Sequence, residues 1–288
     1  MVEVTRREKT EEEKEVIEEV RKTGKQWMGE DKMEDVKKSE PEDCERVNLK
    51  INQIPAITFL EGNLPRVMLD ELNAHVDEHR EKMSDYSQNL VGQIKQTEKS
   101  QQLSLDRTNP TVQGLINLLG SAGRAFLKSY AGQIPMAGGA SAFDKAPIDC
   151  FSMWTVHSYE GDYNPLHDHG TETPIGLSCI LYLKVPEQIA NLPNPAEDFE
   201  GLNSSSGAVD GFTYFTWGTN GMRDVNMLRP ITEEYVKPEV GTLIMFPSWL
   251  RHSVNPFFGD GERRTFSANI NIMKKVINDN EETNNVQV

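Results

Sequence analysis

The sequence predicts a mainly β domain, a sandwich or small barrel, with supporting helices ahead of it. Eight short β-type runs follow one another at 149–159, 166–170, 177–185, 211–217, 234–237, 242–246, 251–256 and 263–272. Gly, Pro and Asn turns separate them, and no helical period intervenes. Three stretches with helical period precede them. At 288 residues the chain has ample material for a core, and one β-rich domain with additions is the simplest division. The boundaries read as a charged helical arm and linker over 1–45, a mixed lead-in with supporting helices over 46–146, the β core over 147–274, and a polar tail over 275–288.

The first 45 residues carry 26 charged side chains. Within them Thr10 and Glu13 make a capping-box pattern, Val16, Ile17 and Val20 give a narrow apolar stripe, and Gly24 offers a stop, which predicts a short exposed helix over 11–23. A solvated arm and a docking helix for a partner or a second copy both fit that stripe, so a homo-oligomer stays open. Residues 31–46 keep the charge without the stripe and read as linker. Order is expected from Val47, with a strand through Leu49 and Ile51 and a second over 56–60 before a turn at Glu61, Gly62 and Asn63. Pro65 then opens a helix whose Leu69, Leu72 and Val76 share a face.

That helix contains His75, Glu78 and His79 in the H-x-x-E-H pattern of inverzincin metallopeptidases. A zinc hydrolase would need a carboxylate ligand from a later helix. The next helix, 111–131, has no acidic residue, so solvent-facing histidines are favoured. Residues 84–110 read as polar loop with a strand around Leu90 to Ile94. In the 111–131 helix, Val112, Leu115, Ile116, Leu119, Ala122, Phe126 and Leu127 form a broad apolar face that should lie flat on a sheet. The longest break between strands, 186–210, is rich in Pro, Ser and Asn and is either a lid or a plain loop.

Net charge is −15, from 30 basic and 45 acidic residues, which disfavours nucleic acid and anionic membranes as partners. Cys44, Cys150 and Cys179 have no C-x-x-C spacing and read as reduced thiols of an intracellular protein. No run of about 18 apolar residues or signal-peptide pattern is seen, so no membrane and a cytoplasmic location are expected.

Three of the six histidines fall between 154 and 183, and two of them, His167 and His169, stand two apart. On a strand edge that spacing sends both imidazoles one way and Asp168 the other. His252 follows about 85 residues later, and Arg263 opens the final strand. Two ligand-type residues, a distant histidine and then an arginine give the order of a facial metal site with a carboxylate-binding partner.

These segments, Gly161 to His169, Leu177 to Leu183, Gly241 to Val254 and Glu262 to Ile270, together resemble the Fe(II)- and 2-oxoglutarate-dependent dioxygenases. The nearest likeness is to a prolyl-hydroxylase-like oxygenase group of large tailed phages and bacteria, over about 150–274. The resemblance implies a double-stranded β-helix, a jelly-roll or cupin-like fold, with Fe(II), 2-oxoglutarate as cosubstrate and O2. It implies a hydroxylase that couples decarboxylation of 2-oxoglutarate to succinate with oxidation of an unknown primary substrate, in the host cytoplasm if phage-encoded. By the same resemblance His167 and His252 are metal ligands, Arg263 binds the far carboxylate of 2-oxoglutarate, Thr265 assists on the same strand face, Asn269 keeps that phase, and Tyr159 lines the cosubstrate pocket. The common H-x-D or H-x-E is replaced here by His167-Asp168-His169. Parity favours His169 as third ligand, and a bulged strand would bring Asp168 instead. A non-catalytic cupin-like domain that binds metal or ligand is the alternative function, and the zinc hydrolase on His75, Glu78 and His79 stands behind it.

Overall fold

The last strand carries the logic of the fold. In Arg263–Ile272 (β10), Arg264, Phe266, Ala268, Ile270 and Ile272 alternate with Arg263, Thr265, Ser267 and Asn269. Period two therefore gives this strand one apolar face and one polar face. The computed structural model describes residues 57–87, 101–133, 146–170, 175–195, 206–219 and 230–272. The predicted arm helix, the linker, the strands near 47–51 and 90–94, Cys44, the tail and the middle of the 186–210 break lie outside the described residues.

Ten strands form two antiparallel sheets. In chain order they are Leu60–Asn63 (β1), Gln101–Ser104 (β2), Ile148–Ser158 (β3), Asn164–His167 (β4), Ile175–Lys184 (β5), Thr213–Thr216 (β6), Glu233–Val236 (β7), Thr242–Pro247 (β8), Arg251–Val254 (β9) and β10. The larger sheet runs β1-β8-β5-β10-β3-β2 and the smaller β4-β9-β6-β7. Two helices, Arg66–His79 (α1) and Pro110–Gln133 (α2), a 3-10 turn at Arg80–Lys82 and a single helical turn, Glu187–Ala190 (α3), complete the described elements.

The apolar face of β10 meets the helices. Phe266, Ala268 and Ile270 share a core with Leu72 and Val76 of α1 and Leu115, Leu119 and Phe126 of α2. Cys150 and Cys179 are buried there as free thiols, and burial pushes the Cys150 thiol up to about 12. On the other face Ile180, Tyr182, Phe246 and Phe215 join the two sheets at one end, leaving the polar residues of β10 to line a cavity at the other. Both predicted helices thus pack on a sheet, as their periodic faces require.

Three differences from the sequence reading have local causes. Glu61, Gly62 and Asn63 are not a turn but the body of β1, registered against Ile244, Leu243 and Thr242 of β8. The missed strand β2 adds itself to β3, with Gln102 opposite Val156. In the 186–210 break, Ile189 packs with Phe212 and Phe257, and Gln188 donates to the Asp260 carbonyl at 2.8 Å, so the described part is fastened to the β9–β10 connection. None of its described residues lines the cavity.

Arg264 does point away from the cavity, as parity demands, but it does not reach solvent. It is only 1% exposed because α1 covers that face. Its guanidinium donates to Asn73 (3.0 Å) and Asp77 (2.5 Å) of α1 and to Glu262 (3.0 Å). His157 adds its Nδ1 to Glu262 at 2.6 Å and its Nε2 to Thr155 at 2.9 Å. A buried charge needs such partners, and this cluster supplies them while tying α1 to β3 and β10.

Burial raises the Glu262 carboxyl, yet the His157 hydrogen bond and the Arg264 guanidinium outweigh it and bring it from 4.5 down to about 2. Between those values the native state binds fewer protons than the unfolded chain. The associated stability is fully present above pH 4.5 and is lost as pH falls toward 2. The wild type should therefore lose urea resistance over that acid window more steeply than Glu262→Gln, which should already be weaker at pH 7. Parallel pH profiles for the two proteins would contradict this role for Glu262.

Candidate metal centre and its cavity

Three imidazoles converge where the smaller sheet faces the polar side of β10. The ring nitrogens of His167, His169 and His252 all lie within 4.8 Å of one another, and among the described residues no other His, Cys, Asp or Glu group of this kind occurs. His167 and His252 are cross-strand partners on β4 and β9, which places their ring centroids 4.3 Å apart. His169 arrives differently. β4 ends at His167, with an irregular register behind it, and His169 is held by its backbone N–H donating to the Ser248 carbonyl at 2.9 Å. The expected strand through 166–170 is thus shorter, and hydrogen bonding rather than strand parity fixes the third ring. Asp168 is exposed at the cavity edge and its carboxylate is not in the cluster.

The tautomers are set from behind. His167 Nδ1 donates to the Pro165 carbonyl at 2.7 Å, and His252 Nδ1 donates to the Leu250 carbonyl at 3.1 Å. Each leaves its Nε2 lone pair facing inward, the arrangement a metal requires of its histidines. His169 Nε2 and His252 Nε2 are 3.2 Å apart, while adjacent ligands about 2.1 Å from one ion stand ~3 Å apart. Burial, with His167 nearby, lowers His169 to about 4. Burial and the two neighbouring imidazoles hold His252 well below its ordinary value. Both rings are therefore neutral near pH 7 and available as ligands, so the donor set fits a divalent transition ion.

The cavity has a volume of about 400 Å³ and includes Arg263, Thr265, Ser267 and Asn269 of β10 in its wall. Arg263 is 2% exposed. Its Nε donates to the Gly211 carbonyl at 2.9 Å, its Nη2 to Thr213 Oγ1 at 3.2 Å, and its guanidinium carbon lies 5.4 Å from the centre of the Tyr182 ring. Among the described residues no carboxylate pairs with it, in contrast to Arg264 next door. Gly211 can present that carbonyl because it has φ +71°, and a Cβ there would clash with the Ile189 side chain.

Tyr159 is not in the cavity wall. It has the parity of His157, on the opposite side of the sheet, and its hydroxyl accepts from Arg80 at 3.4 Å. His75 and His79 form no metal cluster either: His79 Nδ1 donates to the His75 carbonyl at 2.9 Å, and His75 Nδ1 faces Asn109 at 3.4 Å. Sequence reading missed Gly211, Thr213 and Tyr182 around Arg263, and Gln102, Ser152, Trp154 and Asn164 in the wall. No spacing motif marks these positions, and their roles arise only when the two sheets are stacked.

Residues 152–269 match the family model described as "Putative 2OG-Fe(II) oxygenase". No curated protein matches the chain. Among solved structures, a prolyl-4-hydroxylase of Pseudomonas putida is 14% identical with a TM-score of 0.45, over 76% of this chain and 93% of its own. The non-heme alpha ketoglutarate dependent epimerase SnoN from nogalamycin biosynthesis is 13% identical with a TM-score of 0.46, over 75% and 78%. HygX from Streptomyces hygroscopicus, crystallised with nickel and 2-oxoglutarate, is 10% identical with a TM-score of 0.42, over 74% and 81%.

Replacing any one of the three histidines with Ala should lower Co(II) affinity by about 100-fold or more, whereas Asp168→Asn should stay within about threefold. Isothermal titration of the full chain reads both. Equal losses in His169→Ala and Asp168→Asn would remove His169 as the preferred third ligand.

Proposed function

We propose that this protein is an Fe(II)- and 2-oxoglutarate-dependent dioxygenase of double-stranded β-helix architecture, acting as a hydroxylase. One observation carries the reading: a single cavity holds three converging imidazoles and a buried guanidinium that, among the described residues, has no carboxylate partner. A charge withdrawn from water in this way calls for an anion, and 2-oxoglutarate has a carboxylate to give it. The family match over 152–269 supports the same assignment.

His167, His169 and His252 hold the ion through Nε2, with Pro165 and Leu250 carbonyls orienting two of the rings. Arg263 pairs with the distal carboxylate of the keto acid in a charge-assisted contact. The Thr265 hydroxyl, on the same face of β10, donates to that carboxylate. Asn269 Oδ1 accepts from Ser178 at 3.0 Å, which fixes the amide and turns its NH2 to the cavity. An all-imidazole face leaves the full charge of the ion to bind the anionic keto acid. Bound Fe(II) supplies activation of O2 coupled to decarboxylation of 2-oxoglutarate to succinate and CO2, with oxidation of a primary substrate. The surrounding apolar side chains, Ile180 and Val254 among them, keep the oxidising centre from bulk water.

Incubation with Fe(II), O2 and 2-oxoglutarate should yield succinate, and His252→Ala and Arg263→Met should each reduce it by about 100-fold or more. Metal binding without succinate from the wild type, with or without candidate substrates, would favour the non-catalytic cupin-like alternative. Undiminished succinate from His252→Ala would overturn the assignment of the centre.

A further inference from the structure

Three buried side-chain atoms among the described residues have no hydrogen-bond partner: Gln102 Oε1, Ser152 Oγ and Asn164 Oδ1. All three residues line the same cavity as the histidines. Gln102 is 3% exposed, so its amide is committed to that interior. Leaving such groups unpaired costs stability, and a fold retains them when a ligand completes them.

Their place in the sheets separates them from the keto-acid end. Gln102 and Ser152 lie on β2 and β3, outward from β10 in the larger sheet, and Asn164 lies on β4, the edge strand of the smaller one. Arg263 lies instead beside Thr213 of β6, toward the middle of the smaller sheet. In the same wall an aromatic shelf leads to His169. Tyr86 and Trp154 have ring centres 5.7 Å apart, and Trp154 and His169 5.8 Å.

We infer that Gln102, Ser152 and Asn164, with the Tyr86–Trp154 pair beside them, form the binding site for the primary substrate, and that this substrate is a neutral hydroxylated ring, a sugar or cyclitol. The inference rests on the oxygenase reading for the identity of the neighbouring centre. Amide groups offer a carbonyl oxygen and an NH2, and the Ser152 hydroxyl both donates and accepts. That matches hydroxyl groups, which also do both. The C–H face of a saturated ring packs well on aromatic side chains, here the half-buried Tyr86 and the small part of Trp154 that reaches the cavity, and the adjacent hydroxyls then reach the polar wall. Among the described residues no charged side chain lines this part except the exposed Asp168 at its edge, so they offer an ionic substrate no buried counter-charge here. A volume of about 400 Å³ suits a compact ring together with the keto acid.

The test uses the full chain loaded with Zn(II) and 2-oxoglutarate, and saturation-transfer NMR on a mixture of methyl β-glucopyranoside, myo-inositol, uridine and cyclohexanol. Transfer to the glucoside or to inositol is expected, reduced about tenfold in Gln102→Met and in Ser152→Ala. Transfer only to uridine or cyclohexanol, or to none of the four, would overturn the inference. Two further readings separate it from a structural or cosubstrate role. Gln102→Met should raise Tm by about 2–4 °C, because an unpaired buried amide is removed, and should leave 2-oxoglutarate affinity unchanged. A fall in Tm would make Gln102 structural, and weakened 2-oxoglutarate binding would assign the atoms to the cosubstrate. Loss of 2-oxoglutarate binding in the wild type would count against the oxygenase reading alone, since transfer to the ring probes is read independently.

Discussion

Two adjacent arginines begin the central strand of this protein, and alternation along that strand buries them on opposite faces of one sheet. Taking a guanidinium out of water costs several kcal/mol or more unless charge and hydrogen bonds replace the lost hydration. Arg264 receives both from Asp77, Glu262 and Asn73 and so joins α1 to the sheet. Among the described residues Arg263 receives a carbonyl, a hydroxyl and an aromatic face but no negative charge. The same desolvation that makes Arg264 a structural tie is the reason Arg263 is proposed as a receptor for an anion.

The imidazole cluster follows a similar division of labour. Backbone carbonyls behind His167 and His252 consume the Nδ1 protons, and the sheet register brings the remaining nitrogens together. His169 depends on a loop, held by one backbone bond to Ser248 and by the Trp154 ring beside it. Its geometry is therefore coupled to the aromatic shelf that continues to Tyr86. A ligand resting on that shelf would bear directly on the third imidazole of the cluster.

Much of this was legible in the sequence because it depends on period. Leu69, Leu72 and Val76 of α1, the broad face of α2, and the alternation from Arg263 to Asn269 are local patterns that packing did not override. The order of His167, His169, His252 and Arg263 pointed to one site through its likeness to a family and not through period, and His169 is placed by its backbone bond to Ser248 where strand parity has already ended. Other features depend on contacts between distant strands. Nothing in Gln101–Ser104 distinguishes an edge strand from polar loop until β3 is beside it. Glu61 to Asn63 carry turn-type residues, yet pairing with β8 makes them strand. The burial of Arg264 could not be inferred from parity, which gives a direction but says nothing of the helix that covers it.

If the three imidazoles and Arg263 serve one site, they must act on one bound complex. An anaerobic titration of the full chain with Fe(II), with and without 2-oxoglutarate, reads this through the visible charge-transfer band of an iron-bound keto acid. A band in the wild type that needs both components, and that requires excess 2-oxoglutarate in Arg263→Met, is the predicted result. Iron binding with no band at saturating 2-oxoglutarate would contradict the account.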